Sequence, residues 1–458
     1  TACPAGVDIP RYIRAMRAGD LDAAAAVLRE KLSFPLVLGI ICHRPCELQC
    51  RRRFLGGAVS IREIKRAAIM RDSCAWTRRL PSPPVTGRRV AIVGGGPCGL
   101  TAGYCLMRKG HAVRVFEQFD RAGGMLLHAI PAWRLPGTVV ERELGILTDA
   151  GLQIETGRRI GNTAALREEY DAVLVAAGAW RGRRLEALEG HDAENAFSAL
   201  ELLQAARQEG RLPEGRRFNV IGGGSVAFDA ARTLARAGRS VTLIALERLD
   251  ALPAGREELL AARAEGVTVL SSAHTLRLLT DGHRVCGQEI LSIDGFSLEG
   301  GLTFTPLAGT ERVLPCDGLV FAAGQAGHLS ADFGLPLNAS GWPEADPLTG
   351  KTPLSGVFAA GDALYGTRSV VEAVAAGRAA ARQIDLYIGG DGSIDEPLLP
   401  GPPREARLEG IEGFSALERR TGALDAEAAR AESLRCLQCD LRCDIRPVPL
   451  WTADGEAK

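Results

Sequence analysis

Seven cysteines and two glycine runs are the residues of this sequence whose spacing points to chemistry. Cys3, Cys42, Cys46 and Cys50 lie near one end, the last three spaced Cys-x3-Cys-x3-Cys. Cys436, Cys439 and Cys443 lie near the other, spaced Cys-x2-Cys-x3-Cys. The other five cysteines, Cys74, Cys98, Cys105, Cys286 and Cys316, are scattered and read as small buried apolar residues. Thiols clustered in this way, in a sequence with no export pattern, point to a metal or iron–sulfur site rather than to disulfides. Zinc is the competing metal, and a zinc site made from the tail alone needs a fourth ligand close by. His43 is the one histidine near either group. Iron–sulfur clusters accept cysteines from distant segments.

The glycine runs carry a second chemistry. In "RVAIVGGGPCGLTAGYCLMRKGHAVRVFE" Gly94, Gly96 and Gly99 follow an apolar strand and open a helix, and Glu117 closes the next strand. Glycines at this spacing allow the turn, the approach of a pyrophosphate to the helix N-terminus, and close packing of helix on strand. An acid about twenty residues on accepts hydrogen bonds from a ribose. "RFNVIGGGSVAFDAARTLARAGRSVTLIALER" repeats the pattern with Gly222, Gly224 and Ala227, ending on Glu247. Two such units imply two dinucleotides. In "GVFAAGDALYGTRSVV" a short strand leads to Gly361-Asp362, which sets a carboxylate near a helix start.

The elements that must position these residues follow from pattern. Residues 1 to about 80 read as helices. Asp8 and Pro10 start one, "LDAAAAVLREKL" is a second, and "SIREIKRAAIM" opens with Ser60 and Glu63 at capping-box spacing. "RRLPSPPVTGRR" reads as a linker, after which strand–helix–strand units begin at Arg89. The chain is 46% hydrophobic, and Lys+Arg and Asp+Glu balance at 55 each. That balance offers no basic surplus for nucleic acid or anionic lipid. No apolar run approaches a membrane span, and the N-terminus has no basic-then-apolar signal, so a cytoplasmic protein is expected.

Together, Gly94/Gly96/Gly99 with Glu117, "VLVAAGAW", the second fingerprint and Gly361-Asp362 resemble a flavoprotein with two dinucleotide-binding domains. "GGMLLHAIPAWRLP" at Gly123–Pro136 is similar to the small subunit of bacterial glutamate synthase. It also resembles the large subunit of NADH-dependent ferredoxin:NADP oxidoreductase and the N-terminal half of dihydropyrimidine dehydrogenase. "ACPAGVDIPRYI" and "CHRPCELQC" resemble the helical iron–sulfur domain of the same proteins. The resemblance implies an α/β fold of two Rossmann-like domains behind an N-terminal α-helical iron–sulfur domain. The expected boundaries are 1–83 for the helical domain, 84–194 and 316–390 for the FAD domain, 195–315 for an inserted NAD domain, and 391–458 for an extension. It implies FAD on Gly94, Gly96, Pro97, Gly99, Glu117, Gln118, Gly124, Gly178, Gly361 and Asp362. It implies a nicotinamide dinucleotide on Gly222, Gly224, Ser225, Ala227, Glu247 and Arg248.

The sequence departs from the family in three ways. Family members carry a further cysteine group upstream of the position matching Cys3. They take a non-cysteine fourth ligand from the stretch that reads "REIKRA" here, where Lys65 and Arg66 cannot serve and Glu63 is a weak substitute. NADP-dependent members end the second fingerprint on an arginine pair, whereas "ALER" puts Glu247 there. A carboxylate accepts from a 2′-hydroxyl and repels a 2′-phosphate, so NAD(H) is expected. The tail is expected to fold back and complete one 4Fe–4S cluster from Cys50, Cys436, Cys439 and Cys443. Cys3, Cys42 and Cys46 are left for a second, with a non-cysteine ligand or Cys74. No cysteine pair follows Gly124, which argues against a disulfide reductase.

The flavin would carry the chemistry, so no separate acid–base residues are expected. The function expected is electron transfer between NAD(H), FAD, one or two clusters and a partner oxidoreductase subunit, such as an aldehyde oxidoreductase. The alternatives are an NADPH-dependent glutamate synthase small subunit and a non-catalytic FAD-binding assembly protein.

Overall fold

Short-range signals set the first helices. The Asp8 carboxylate accepts from the Arg11 N–H at 3.1 Å and starts the helix Ile9–Ala18, with Pro10 in its first turn. Asp20 accepts from the Ala23 N–H at 2.8 Å and starts Leu21–Arg29. Both are N-caps that satisfy otherwise orphaned backbone donors. The computed structural model describes residues 2–80, 82–400 and 417–442. Cys443 lies outside the described residues.

These residues form two units. The first takes in the described residues of Thr1–Pro84, Ser369–Arg378 and Ser393–Lys458. Its helices Ile9–Ala18, Leu21–Arg29, Pro35–Ile41 and Ile61–Met70 bury Tyr12, Ile13, Met16, Leu28, Phe34, Leu38, Ile64 and Ala68. Three consecutive buried alanines, Ala24 to Ala26, remove bulk where helices close on one another. Between the third and fourth of these helices run the short helix Pro45–Leu48 and the 3-10 turn Arg51–Phe54, which carry the Cys42–Cys50 segment.

The capping box expected at Ser60 and Glu63 does not form. The Ser60 N–H instead donates to Glu432 Oε1 at 3.0 Å, from the tail helix Ala426–Ser433. Arg435, beyond that helix, donates to Glu432 at 2.7 Å and to the carbonyls of Gly56, Gly57 and Ala58 at 2.7–3.0 Å. Glu63 turns to Arg62 at 2.9 Å. A buried ion pair from far along the chain thus outcompetes the local cap.

The second unit, Val85–Arg368 with Ala379–Gly392, holds two parallel five-stranded sheets. One has the order Val357–Ala359, Ala172–Val175, Arg89–Val93, Ala112–Phe116, Gln153–Glu155. The other has the order Ala196–Ser198, Gly318–Phe321, Arg217–Ile221, Ser240–Ile244, Thr268–Leu270. In chain order the second sheet lies between two strands of the first. Its last strand, Gly318–Phe321, runs past the boundary expected at 315, because the antiparallel strands Ala273–Asp281, Arg284–Ser297, Thr303–Pro306 and Arg312–Pro315 intervene before it. The central strands are buried along nearly their whole length, as strands covered on both faces must be. Among the described residues no helix is long and apolar enough to cross a membrane.

Candidate cofactor sites

At the end of strand Arg89–Val93 the chain turns through Gly94, whose φ is +113° and whose missing Cβ would stand 2.3 Å from the Ala176 carbonyl. Gly96 caps the helix Pro97–Arg108, with Pro97 at its first position. At Gly99 a Cβ would lie 2.0 Å from the Gly94 carbonyl, so the helix sits directly on the turn. The buried Glu117 carboxylate accepts from the Gly95 N–H at 2.8 Å and the Phe119 N–H at 3.0 Å, which fixes it beneath the glycine turn. Gln118 follows on the surface. The Gly123 N–H donates to the Gly95 carbonyl at 2.7 Å and brings Gly124 against Gly96. Gly178, at φ +76°, follows strand Ala172–Val175. Gly361 abuts Cys98, and Asp362 begins the helix Asp362–Tyr365 and accepts from the Arg368 N–H at 3.2 Å. All ten residues expected at the first dinucleotide site are carried by the first sheet, the helices that follow its strands and the adjoining turns.

The second fingerprint repeats this geometry. Gly222 turns at φ +138° after Arg217–Ile221, Gly224 caps the helix Ser225–Arg236 starting at Ser225, and Ala227 is buried. A Cβ on Gly223 would stand 2.5 Å from Glu247 Oε2, the counterpart of the Gly95–Glu117 approach. Arg248 is exposed and pairs with Asp250 at 3.4 Å.

Residues not read from the sequence join the two halves of this unit. In the "PAWRLP" stretch, Arg134 pairs with Asp229 at 2.6 Å and with Glu258. Trp133 lies under the guanidinium groups of Arg232 and Arg236, 4.3 and 4.4 Å from its centre. Burial raises the carboxyls of Asp229 and Glu258 against the pull of Arg134, Glu258 to about 7. Beside Gly178, Trp180 approaches Phe119 at 4.9 Å, and Phe119 stacks on His128 at 4.3 Å. Their partners lie on other elements, so no local spacing announces them.

In the first unit the cysteines fall into two sets. Burial pushes the Cys46 thiol up to about 12; the Lys65 ammonium opposes this, while Cys42, Glu47 and Cys3 add to it. Burial likewise raises Cys436 to about 11, with Cys50 and Cys439 among the groups adding to the rise. The Cys46 thiol thus feels Cys42 and Cys3, and the Cys436 thiol feels Cys50 and Cys439. Tyr12, fully buried, feels members of both sets, and its hydroxyl donates to the Ile61 carbonyl at 2.9 Å. Cys98, Cys105 and Cys316 are buried as expected for packing, whereas Cys74 is half-buried and Cys286 is exposed.

Among the described residues no three His, Cys, Asp or Glu side chains stand close enough to hold a single metal ion. A multi-iron cluster binds each thiolate at a different iron and takes ligands set farther apart. The surrounding charge fits such a group. Arg52 and Arg435 are 0% and 1% exposed, Arg52 feels Cys50 and Glu432, Arg435 pairs with Glu432, and the buried Lys65 acts on Cys46. Buried cations call for buried anions, and thiolate-ligated iron–sulfur clusters are anions.

With this geometry in hand, comparison with known proteins is decisive. The pyridine nucleotide-disulphide oxidoreductase family matches residues 88–377. The chain belongs to that family. Residues 1–74 match dihydropyrimidine dehydrogenase domain II, a 4Fe–4S cluster domain. Similar family members include the NADP(+)-dependent formate dehydrogenase subunit beta of Moorella thermoacetica, 32% identical over 95% of this chain and 69% of that one. The NAD-dependent dihydropyrimidine dehydrogenase subunit PreT of Escherichia coli is 30% identical over 85% and 90%. The small chain of NADPH glutamate synthase from Mycobacterium tuberculosis is 30% identical over 87% of each chain. Among solved structures, Mycobacterium tuberculosis FprA in complex with NADPH aligns with a TM-score of 0.55 at 15% identity, over 66% of this chain and 85% of that one. At that identity the likeness shows the fold alone. The resemblance and the fold class read from the sequence therefore hold. This family member is a flavin and iron–sulfur oxidoreductase that uses a pyridine nucleotide.

Proposed function

We propose that this chain is the electron-exchange subunit of a larger oxidoreductase, passing reducing equivalents between NAD(H) and a partner subunit through FAD and iron–sulfur clusters. Bound FAD supplies the exchange of a hydride for single electrons. The chain's own residues supply position and charge. The turns at Gly94–Gly96 and Gly222–Gly224 lead into two helix N-termini whose backbone N–H groups would receive the two pyrophosphates. Glu117 and Glu247 stand where each ribose is received. Cys50, Cys436, Cys439 and the undescribed Cys443 are assigned to one cluster, and Cys3, Cys42 and Cys46 to another. Leu48 and Phe54, exposed to 66% and 75% on either side of Cys50, offer a partner an apolar contact there.

The observation that carries the choice of NAD(H) is Glu247 against Gly223. Its carboxylate sets a negative charge where NADP(H) would bring another. NADP(H) is the second reading, favoured by the exposed Arg248 and by relatives named for NADP(+) and NADPH. The test is viologen reduction by the purified full chain with each nucleotide. A kcat/KM at least ten times higher with NADH is expected. A preference for NADPH overturns the assignment, and inactivity with both overturns the catalytic reading in favour of an assembly role.

A further inference from the structure

Lys65 sits where a lysine has little reason to be. It lies in the helix Ile61–Met70, is 9% exposed, and makes no hydrogen bond or ion pair with another described residue. Neighbouring contacts fix what this part of the helix faces. The Arg62 N–H donates to Glu47 Oε1 at 3.1 Å, and its guanidinium donates to the Cys42 carbonyl at 3.3 Å. The Tyr12 hydroxyl holds the Ile61 carbonyl. Lys65 follows these residues at spacings of three and four, which share a helix face. That face looks onto the Cys42–Glu47 turn, and the Lys65 charge acts on the Cys46 thiol.

Among the described residues the other candidate side chains near this turn are engaged elsewhere. Both Glu47 oxygens are engaged, one by the Arg62 N–H and the other by Arg419. Glu63 accepts from Arg62 through Oε1 at 2.9 Å, and its buried Oε2, which makes no hydrogen bond, is held by the Arg66 charge at 3.8 Å. Cys50 acts on the Cys436 thiol and is assigned to the cluster proposed there. Cys74 lies beyond the far end of the helix, where its N–H donates to Asp72 at 2.9 Å. A protonated amine has no lone pair for iron, but it neutralises an anion.

We propose that the Cys3/Cys42/Cys46 site holds a three-iron cluster on three thiolates, and that Lys65 occupies the vacant fourth corner as its counter-cation. The inference rests on the reading that this chain carries clusters. Three thiolates outweigh the charge of a three-iron core in either oxidation state, so the site stays anionic and the ammonium always has its partner. Lys65 then favours the reduced, more negative form and raises the potential of the site.

The test is EPR of the anaerobically purified full chain with iron and sulfide analysis. An oxidised three-iron cluster is paramagnetic, and an oxidised four-iron cluster is not. The oxidised wild type should show a stoichiometric three-iron signal that is lost in Cys46→Ala. Lys65→Cys supplies a fourth thiolate; it should abolish that signal and add one iron per chain. Lys65→Met should keep the signal at a lower midpoint potential, a shift that a merely structural lysine would not produce. Iron and sulfide present with an EPR-silent oxidised wild type overturns the fourth-corner inference alone. A protein without sulfide overturns the cluster reading itself, and this inference with it.

Discussion

Single charges decide the residue-scale behaviour. Glu247 is the negative group expected to exclude a 2′-phosphate, so Glu247→Arg should move the NADPH/NADH ratio of kcat/KM toward NADPH by tenfold or more, read from initial rates with each nucleotide. Glu258 makes a prediction in pH. Its carboxyl stands at about 7 in the folded chain against an ordinary 4.5, because burial outweighs the attraction of Arg134. The folded state therefore holds that proton more tightly than the unfolded chain does. The stabilisation is complete below the ordinary value and is lost as pH rises through about 7. Between about pH 5 and about pH 8 the wild type should lose on the order of 2 kcal/mol relative to Glu258→Gln, seen in denaturant melts at both pH values. The fingerprints were legible because each is a local grammar of glycine, helix and acid. Arg134 and Arg435 were not, because what gives each its meaning stands on another element, and Lys65 was legible only as a residue that cannot be a ligand.

At the scale of elements, the fit of helix on turn is the sensitive point. Gly99→Ala puts a Cβ on the Gly94 carbonyl. It should release the flavin, measured as loss of visible absorbance on gel filtration, while the cysteine-bearing unit keeps its iron. The strand–helix order of both sheets could be read from alternating apolar runs and glycine turns. The antiparallel strands from Ala273 to Pro315 went unread, although Gly282, at φ +60°, marks the two-residue turn between Asp281 and Arg284. The helix starting at Ser60 shows the limit of local rules: a sound capping box is passed over for Glu432. Arg435→Met removes the ion-pair partner that holds the buried Glu432 at 2.7 Å. That should cost about 3–5 kcal/mol, the range for breaking a buried pair, measured by chemical denaturation of the full chain.

For the whole molecule, the tail is as much a part of the first unit as the N-terminal helices are. A chain ending at residue 400 keeps every residue of the second unit. It should retain its flavin while losing one cluster's iron and sulfide, measured against the full chain in one preparation. No local sequence pattern states this closure; the cysteine spacing of the tail is its only sign. The bond between Ser60 and Glu432 also fixes an order in time. Its ends are 372 residues apart, and at about 5–20 residues per second a ribosome needs roughly 20–75 s to pass from one to the other. Throughout that interval the helix that opens at Ser60 has left the exit tunnel, and both sheets are translated, before the buried acid that satisfies its first turn exists. That helix is among the last elements to reach its final packing.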